Sequence, residues 1–205
     1  MINNLSIYLA SASPRRRELL QQIHVKYEVL LLRTEHGRNG VDETPEKGES
    51  PETYVQRIAQ NKAEAGWKAV LGRHLPKRVV LAADTMVSLE GEILGKPDSR
   101  EHAESMLKKL SGKTHQVLTC VAVAFDEKVE MLLSTSTVTF AVLSESEIKH
   151  YIMTGEPLDK AGGYAIQGIA AAFITRIEGS YSGVMGLPLY ETVQLLKKYE
   201  GNVLS

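Results

Sequence analysis

Cysteine is nearly absent from this 205-residue sequence: Cys120, in "HQVLTCVAVAF", stands alone. An intrachain disulfide and a cysteine-built zinc site are thereby excluded, and Cys120 is expected to be a buried strand residue. Aromatic residues are sparse, at 6%, and 24 basic against 25 acidic residues leave a formal net charge of −1. A nucleic-acid binder needs a broad basic surface and stacking rings, so that class is disfavoured. No apolar run reaches membrane-spanning length, and no charged segment leads into a long apolar one. A reducing, cytoplasmic setting is therefore expected. Familiar catalytic signatures are missing too. There is no H-E-x-x-H and no G-x-S-x-G, and the histidines at 24, 36, 74, 102, 115 and 150 show no ligand spacing.

What is present is an ordinary apolar share, 43%, enough for one sizeable core, and a single domain over residues 1–205 is expected. Beta-rich apolar runs at Ser6–Ser11, Tyr27–Arg33, Arg78–Leu89, His115–Phe125, Val129–Val142 and Ala171–Ile177 predict strands, with "FDEKVE" as a hairpin turn. Ser13-Pro14 predicts a helix start with serine as N-cap, and Ser50-Pro51 repeats the device. Asp98 or Ser99 opens a third helix that Gly112 closes. Ser144 with Glu147 forms a capping box before a fourth that Gly155 ends, and a last helix spans Pro188–Tyr199 and stops at Gly201. Strands alternating with helices and then a long hairpin predict an α/β fold, with a mixed central sheet flanked by helices. The polar, glycine-rich stretch Thr34–Ser50 reads as flexible or as a loop over a site.

Several residues stand where structure alone does not want them. Helix first turns favour acids, yet "SPRRR" puts arginines against the positive end of the helix dipole. With Ser11, Ser13, Arg15 and Arg16 as donors beside free backbone N–H groups, this is the local chemistry of a phosphate cradle. Lys62 falls on the apolar stripe of Val55, Ile58 and Ala59, either snorkelling outward or held over a cleft. Asp84 interrupts an apolar strand, where a carboxylate must be paired, bind a metal or cap a turn. Lys96 follows in "GKP", a fixed extended or turn geometry. "DKAGGYAIQG", Asp159–Gly168, is neither a dinucleotide fingerprint nor a Walker A loop. It reads as a backbone approach to a ligand or as a plain irregular connection. Hard-metal binding is open to Asp84 and to the acidic pair Asp42-Glu43.

Taken in order, "LASASPRRRELL", "VDET…GESPETYVQRIAQNKA", "LAADTMV", "GEILGKP", "LSGKTHQVLT", "EPLDKAGGYAIQG" and "GLPLYET" resemble the Maf family of nucleoside triphosphate pyrophosphatases over nearly the whole chain. The pairing of "ADT" with "GYAIQG" resembles the branch acting on dTTP and UTP. The resemblance implies an inosine-triphosphatase-like architecture with a cleft between two lobes, a homodimer, and a divalent cation, Mg²⁺ or Mn²⁺. It implies hydrolysis of dTTP and UTP, extending to modified pyrimidine nucleotides that would thus be kept out of nucleic acid. The products are the monophosphate and pyrophosphate. By motif, Ser11, Arg16, Lys62 and Lys96 are implied on the phosphate side, Glu43 and Asp84 in acidic, metal-holding roles, and Asp84 as proton acceptor. Arg15, Thr85 and Gln167 take the positions associated with pyrimidine choice. Asp159 and Lys160 belong to the signature, and Arg17 is left to the surface. The family's link to cell-division arrest gives an alternative, a nucleotide-binding regulator with incidental hydrolysis.

Overall fold

Serine begins four of the helices. In the computed structural model, which describes residues 5–32 and 41–200, the hydroxyls of Ser50, Ser99, Ser144 and Ser180 each accept a backbone N–H from the first turn that follows. They open α2 (Pro51–Gly72), α3 (Arg100–Leu110), α4 (Glu145–Met153) and the short α5 (Tyr181–Met185). Ser144 and Glu147 complete the predicted capping box, and Gly155 ends the segment in the left-handed region at φ 75°. Ser13 differs. It occupies the N-cap position of α1 (Pro14–Gln22), but its hydroxyl makes no cap bond. The last helix, α6, spans Leu189–Lys197. Of the sequence expectations, Arg33, the first part of the Thr34–Ser50 stretch (residues 34–40) and Gly201 lie outside the described residues.

Among the described residues, seven strands form one sheet: β1 (Ser6–Leu9), β2 (Lys26–Val29), β3 (Val80–Leu89), β4 (Glu92–Leu94), β5 (Thr114–Phe125), β6 (Lys128–Phe140) and β7 (Ile174–Glu178). Their order is β2-β1-β3-β5-β6-β7, with β4 paired to β3. The β1 strand runs parallel to β2 and β3, and the remaining pairs are antiparallel, so the sheet is mixed as expected. The predicted hairpin turn joins β5 to β6, with Phe125 opposite Lys128 and Asp126 at φ 55°. Strand β4 was unforeseen. Glu90 and Gly91, both left-handed at φ 53° and 85°, fold it back on β3 as a two-residue hairpin.

Helix α2 covers one face of the sheet, where Val55, Ala59, Ala63 and Trp67 pack on Tyr8, Val80 and Ala82. The opposite face carries two separate apolar clusters. One joins α1 and α6 to Leu81, Ala83 and Val121; the other joins α3 and α4 to Val87, Val117 and Phe140. Between them, on the same face of the long strands, sit Thr85 and Thr119, directly opposite each other. The alternation of a strand puts residues 83, 85 and 87 on one face, so the sheet's apolar cover is broken at a threonine pair.

Gly66 sets how closely α2 lies on the sheet. A methyl group there would meet Val80 Cγ1 at 2.6 Å and Ala10 Cβ at 3.2 Å, whereas nothing lies within 4 Å at Gly72 of the same helix. Gly66→Ala is expected to destabilise the fold by about 1–3 kcal/mol through overpacking. Gly72→Ala is expected to be neutral or to stabilise by up to about 1 kcal/mol through backbone entropy. Urea unfolding of the two variants checks the contrast.

Candidate functional site

The sheet has an opening. Pairing of β1 with β3 ends at Leu9 opposite Leu81, and β4 joins β3 only from Val87 onward. Residues 82–86 of β3 therefore lack a strand on that side. The first and second crossovers carry α1 and α2 to opposite faces of the sheet, so β1 and β3 separate at a topological switch point, the usual place for a ligand in such sheets. A cleft of about 580 Å³ opens there. Ser11, Arg15, Arg16 and Lys62 line it, and so do Asp84, Thr85, Lys96 and Gln167. Every predicted site residue except Glu43 is thus in its wall, and Glu43 is joined to it through Lys62.

Lys62 is the centre of the acidic side. Its ammonium is 2.7 Å from Asp84 Oδ1 and 2.6 Å from Glu43 Oε1. Lys62 and Asp84 are 7% and 8% exposed, so their charges sit largely out of water and require one another. Neither open alternative for these residues holds: Lys62 does not snorkel, and Asp84 does not cap a turn. Glu43 arrives from a segment pinned on α2. Tyr54 donates its hydroxyl to Glu43 O at 2.9 Å, and Arg57 bonds Thr44 O at 3.1 Å and Glu49 at 2.7 Å. Asp42 instead closes its own turn, accepting from Thr44 N at 2.9 Å.

Arg16 is the centre of the basic side. It donates to Gly186 O at 2.8 Å, Ser11 Oγ at 3.2 Å and Thr85 Oγ1 at 3.3 Å. All three acceptors are neutral. Burial pulls the guanidinium below its ordinary value, and the nearby Asp84 charge works against that shift. Burial also lowers Arg15, which Asp159 and Glu18 partly offset. Because no side chain caps α1, the N–H groups of its first turn remain available beside these arginines. A buried cation with neutral partners at an uncapped helix start is a place for an anion. Arg17 bonds Ala12 O at 3.3 Å and does not line the cleft.

The third wall is the "DKAGGYAIQG" segment, a chain of 3-10 turns from Glu156 to Phe173. Gly162, at φ 67°, lies where a methyl group would strike Val87 at 2.9 Å, and its N–H bonds Gly95 O beside Lys96. Sequence reasoning missed three supports of the cleft. Glu156 accepts from Tyr151 Oη at 2.8 Å and Ile169 N at 3.1 Å, bracing the turn that carries Gln167. His115 Nε2 lies 2.8 Å from Tyr164 Oη, holding a ring that lines the cleft. Thr119 stands behind Thr85, 3.0 Å from it. Each sits in a stretch quoted for its neighbours, and only Thr119, a polar residue inside an apolar run, carried a local signal. Cys120 is buried as expected, and burial with the Asp84 charge pushes its thiol up to about 12. Among the described residues no group of three or more His, Cys, Asp or Glu side chains is placed to hold a metal, and no helix is long and apolar enough to cross a membrane.

The model of the Maf-like protein family matches residues 6–199. A dTTP/UTP pyrophosphatase of Aromatoleum aromaticum is 54% identical over 195 residues, covering 94% of this chain and 95% of that one. One of Nitrosomonas europaea is 56% identical over 193 residues, covering 94% and 93%. Among solved structures, that of the Staphylococcus aureus Ham1 protein aligns with a TM-score of 0.47 at 17% identity, over 95% of this chain and 97% of that one.

His115 is 2% exposed, and its Nδ1 is buried without a hydrogen-bond partner. Burial pushes its pKa from 6.5 down to about 4, because a second ring proton would be charged and unpaired. Between those values the unfolded chain binds the proton and the folded chain does not, so stability falls as pH drops from 6.5 toward 4. The loss attributable to His115 is expected to reach about 3 kcal/mol. Urea unfolding at pH 7, 5.5 and 4 measures it, and His115→Asn should flatten the slope.

Proposed function

The chain belongs to the Maf family, and on that premise we propose that it hydrolyses dTTP and UTP to the nucleoside monophosphate and pyrophosphate. The observation that carries this reading is a single cleft joining a buried, neutrally bonded arginine at an uncapped helix start to a carboxylate pair held by a buried lysine. A triphosphate carries several negative charges, and cationic groups placed around it both bind it and stabilise the charge of its transition state. Ser11, Arg16, Lys62 and Lys96 take that part, with the N–H groups of the first turn of α1.

Asp84 is the proton acceptor. One of its oxygens is committed to Lys62 at 2.7 Å, and the other takes a proton from a water. The water oxygen bonds the α-phosphorus as the bond from phosphorus to the bridging oxygen breaks, and pyrophosphate leaves. Arg15, Thr85 and Gln167 choose the base: guanidinium, hydroxyl and amide together supply donors and acceptors for the carbonyl–imide edge of uracil or thymine.

The acidic pair also suits a divalent cation. Mg²⁺ or Mn²⁺ is commonly held by one or two carboxylates, with phosphate oxygens and water completing the shell. Glu43 and Asp84 converge on one ammonium and are the residues that would hold it. When bound, the cation adds positive charge at the phosphates undergoing substitution. A homodimer, a cytoplasmic location and action on modified pyrimidine nucleotides complete the reading, as the family resemblance implies.

With Mg²⁺ or Mn²⁺, the purified protein should release pyrophosphate from dTTP and UTP faster than from purine nucleotides. Orthophosphate as the product, or equal rates on every nucleotide, would contradict the reading. Asp84→Asn should lower kcat by about 10²–10⁴, the worth of a general base, without loss of the folded state by thermal melting. A fully active variant would remove Asp84 from the chemistry.

A further inference from the structure

Glu156 is half-buried, follows the end of α4 and does not itself line the cleft. Its backbone is tied to that helix: Glu156 N donates to Thr154 Oγ1 at 3.2 Å, and Thr154 Oγ1 donates to Tyr151 O at 2.6 Å. Its carboxylate accepts two hydrogen bonds, from Tyr151 Oη on Oε1 at 2.8 Å and from Ile169 N on Oε2 at 3.1 Å. The direction of both bonds is fixed. A backbone N–H only donates. The Tyr151 phenol, which burial and the bond to Glu156 push above its ordinary value, keeps its proton and gives it to the carboxylate. Tyr151 is 2% exposed and meets the Phe173 ring edge-on, so its bond ties Glu156 to the apolar cluster of α3 and α4.

The turn on the other side of that carboxylate carries Gln167. Gly168 N bonds Ala165 O at 3.0 Å, which puts Ile166 and Gln167 at the tip. Tyr164, Ala165 and Ile166 are buried and fix the entering side of the turn. Gln167 and Ile169 are exposed, so on the leaving side the backbone is held by its bond to Glu156. Gly168 admits the carboxylate, because a methyl group there would run into both Glu156 oxygens. Its φ of −104° is open to any residue, so space is what calls for glycine. We infer that Glu156 is a positioning residue for the nucleobase: by holding the turn against Tyr151 and the end of α4, it fixes the direction in which Gln167 meets the pyrimidine edge. The inference rests on the reading of the cleft as a dTTP and UTP site and adds the residue that sets its base contact.

Glu156→Met keeps the length of the side chain and removes both acceptors. The expected result is a rise in KM for UTP of about tenfold, the scale of one misplaced hydrogen bond, with kcat little changed, as befits lost uniform binding. In a Gln167→Ala background the same change should raise KM by less than about twofold, because the contact it serves is already gone. Tyr151→Phe leaves the carboxylate, and its field on Arg15, in place. It should raise KM in the same direction and again add nothing once Gln167 is alanine. Inorganic tripolyphosphate, which has no base, should inhibit wild type and both variants equally. An unchanged KM, a matching fall in kcat, a rise in KM undiminished in the Gln167→Ala background, or weakened tripolyphosphate inhibition would each overturn the inference. If Glu156→Met does not fold, Tyr151→Phe is read by the same criteria. A wild-type protein that does not hydrolyse UTP, or a Gln167→Ala variant with the wild-type KM, would overturn the functional reading and this inference together, whereas the outcomes above overturn this one alone.

Discussion

The buried ammonium of Lys62, shared by Asp84 and Glu43, is the interaction on which the cleft depends. Lys62 and Asp84 stand inside the apolar cover that α2 lays on one face of the sheet, and Glu43 joins them from the 41–50 segment. Removing Lys62 leaves two carboxylates uncompensated, Asp84 among them in a poorly solvated place, which costs far more than breaking a surface pair would. The arrangement needs α2 close to β3, and Gly66, one turn beyond Lys62, permits that approach. It also needs the 41–50 segment anchored, which Tyr54 and Arg57 achieve from α2 itself. One helix thus supplies the lysine, its close packing and the anchors of the second carboxylate.

The sheet contributes the opening and its polarity. Had β1 continued alongside β3, residues 82–86 would be paired and the opening beside Asp84 would be closed. Had Thr85 and Thr119 been valines, the apolar clusters of α1 with α6 and of α3 with α4 could merge across the gap. Arg16 reaches into that gap from an uncapped helix, bonded to backbone and hydroxyl oxygens rather than to a carboxylate. The positive and negative halves of the site come from opposite faces of the sheet and meet only where it is incomplete.

The serine-proline and capping-box signals placed α1, α2 and α4 closely, because a cap is a local event written in adjacent residues. The mixed sheet was legible from the alternation of runs. Strand β4 and helix α5, at three and five residues, were not. Elements that short are held by tertiary contacts rather than by their own periodicity. Ser13 shows the limit of a local rule: sequence marked it as a cap, and its hydroxyl makes no such bond. Asp84 and Lys62 were legible as charges out of place in apolar patterns. Glu156, His115 and Thr119 act on residues distant in sequence, and nothing local announced which partner each would find.

If Lys62 and the carboxylate of Asp84 work as one unit, their contributions to turnover cannot be independent. A double-mutant cycle on kcat at saturating UTP, with Lys62→Met, Asp84→Asn and both together, tests this most directly. The account predicts that each single change is severely damaging and that the double variant is within about threefold of Asp84→Asn alone, the strong non-additivity of groups acting together. A double variant whose loss equals the product of the two single losses would contradict it.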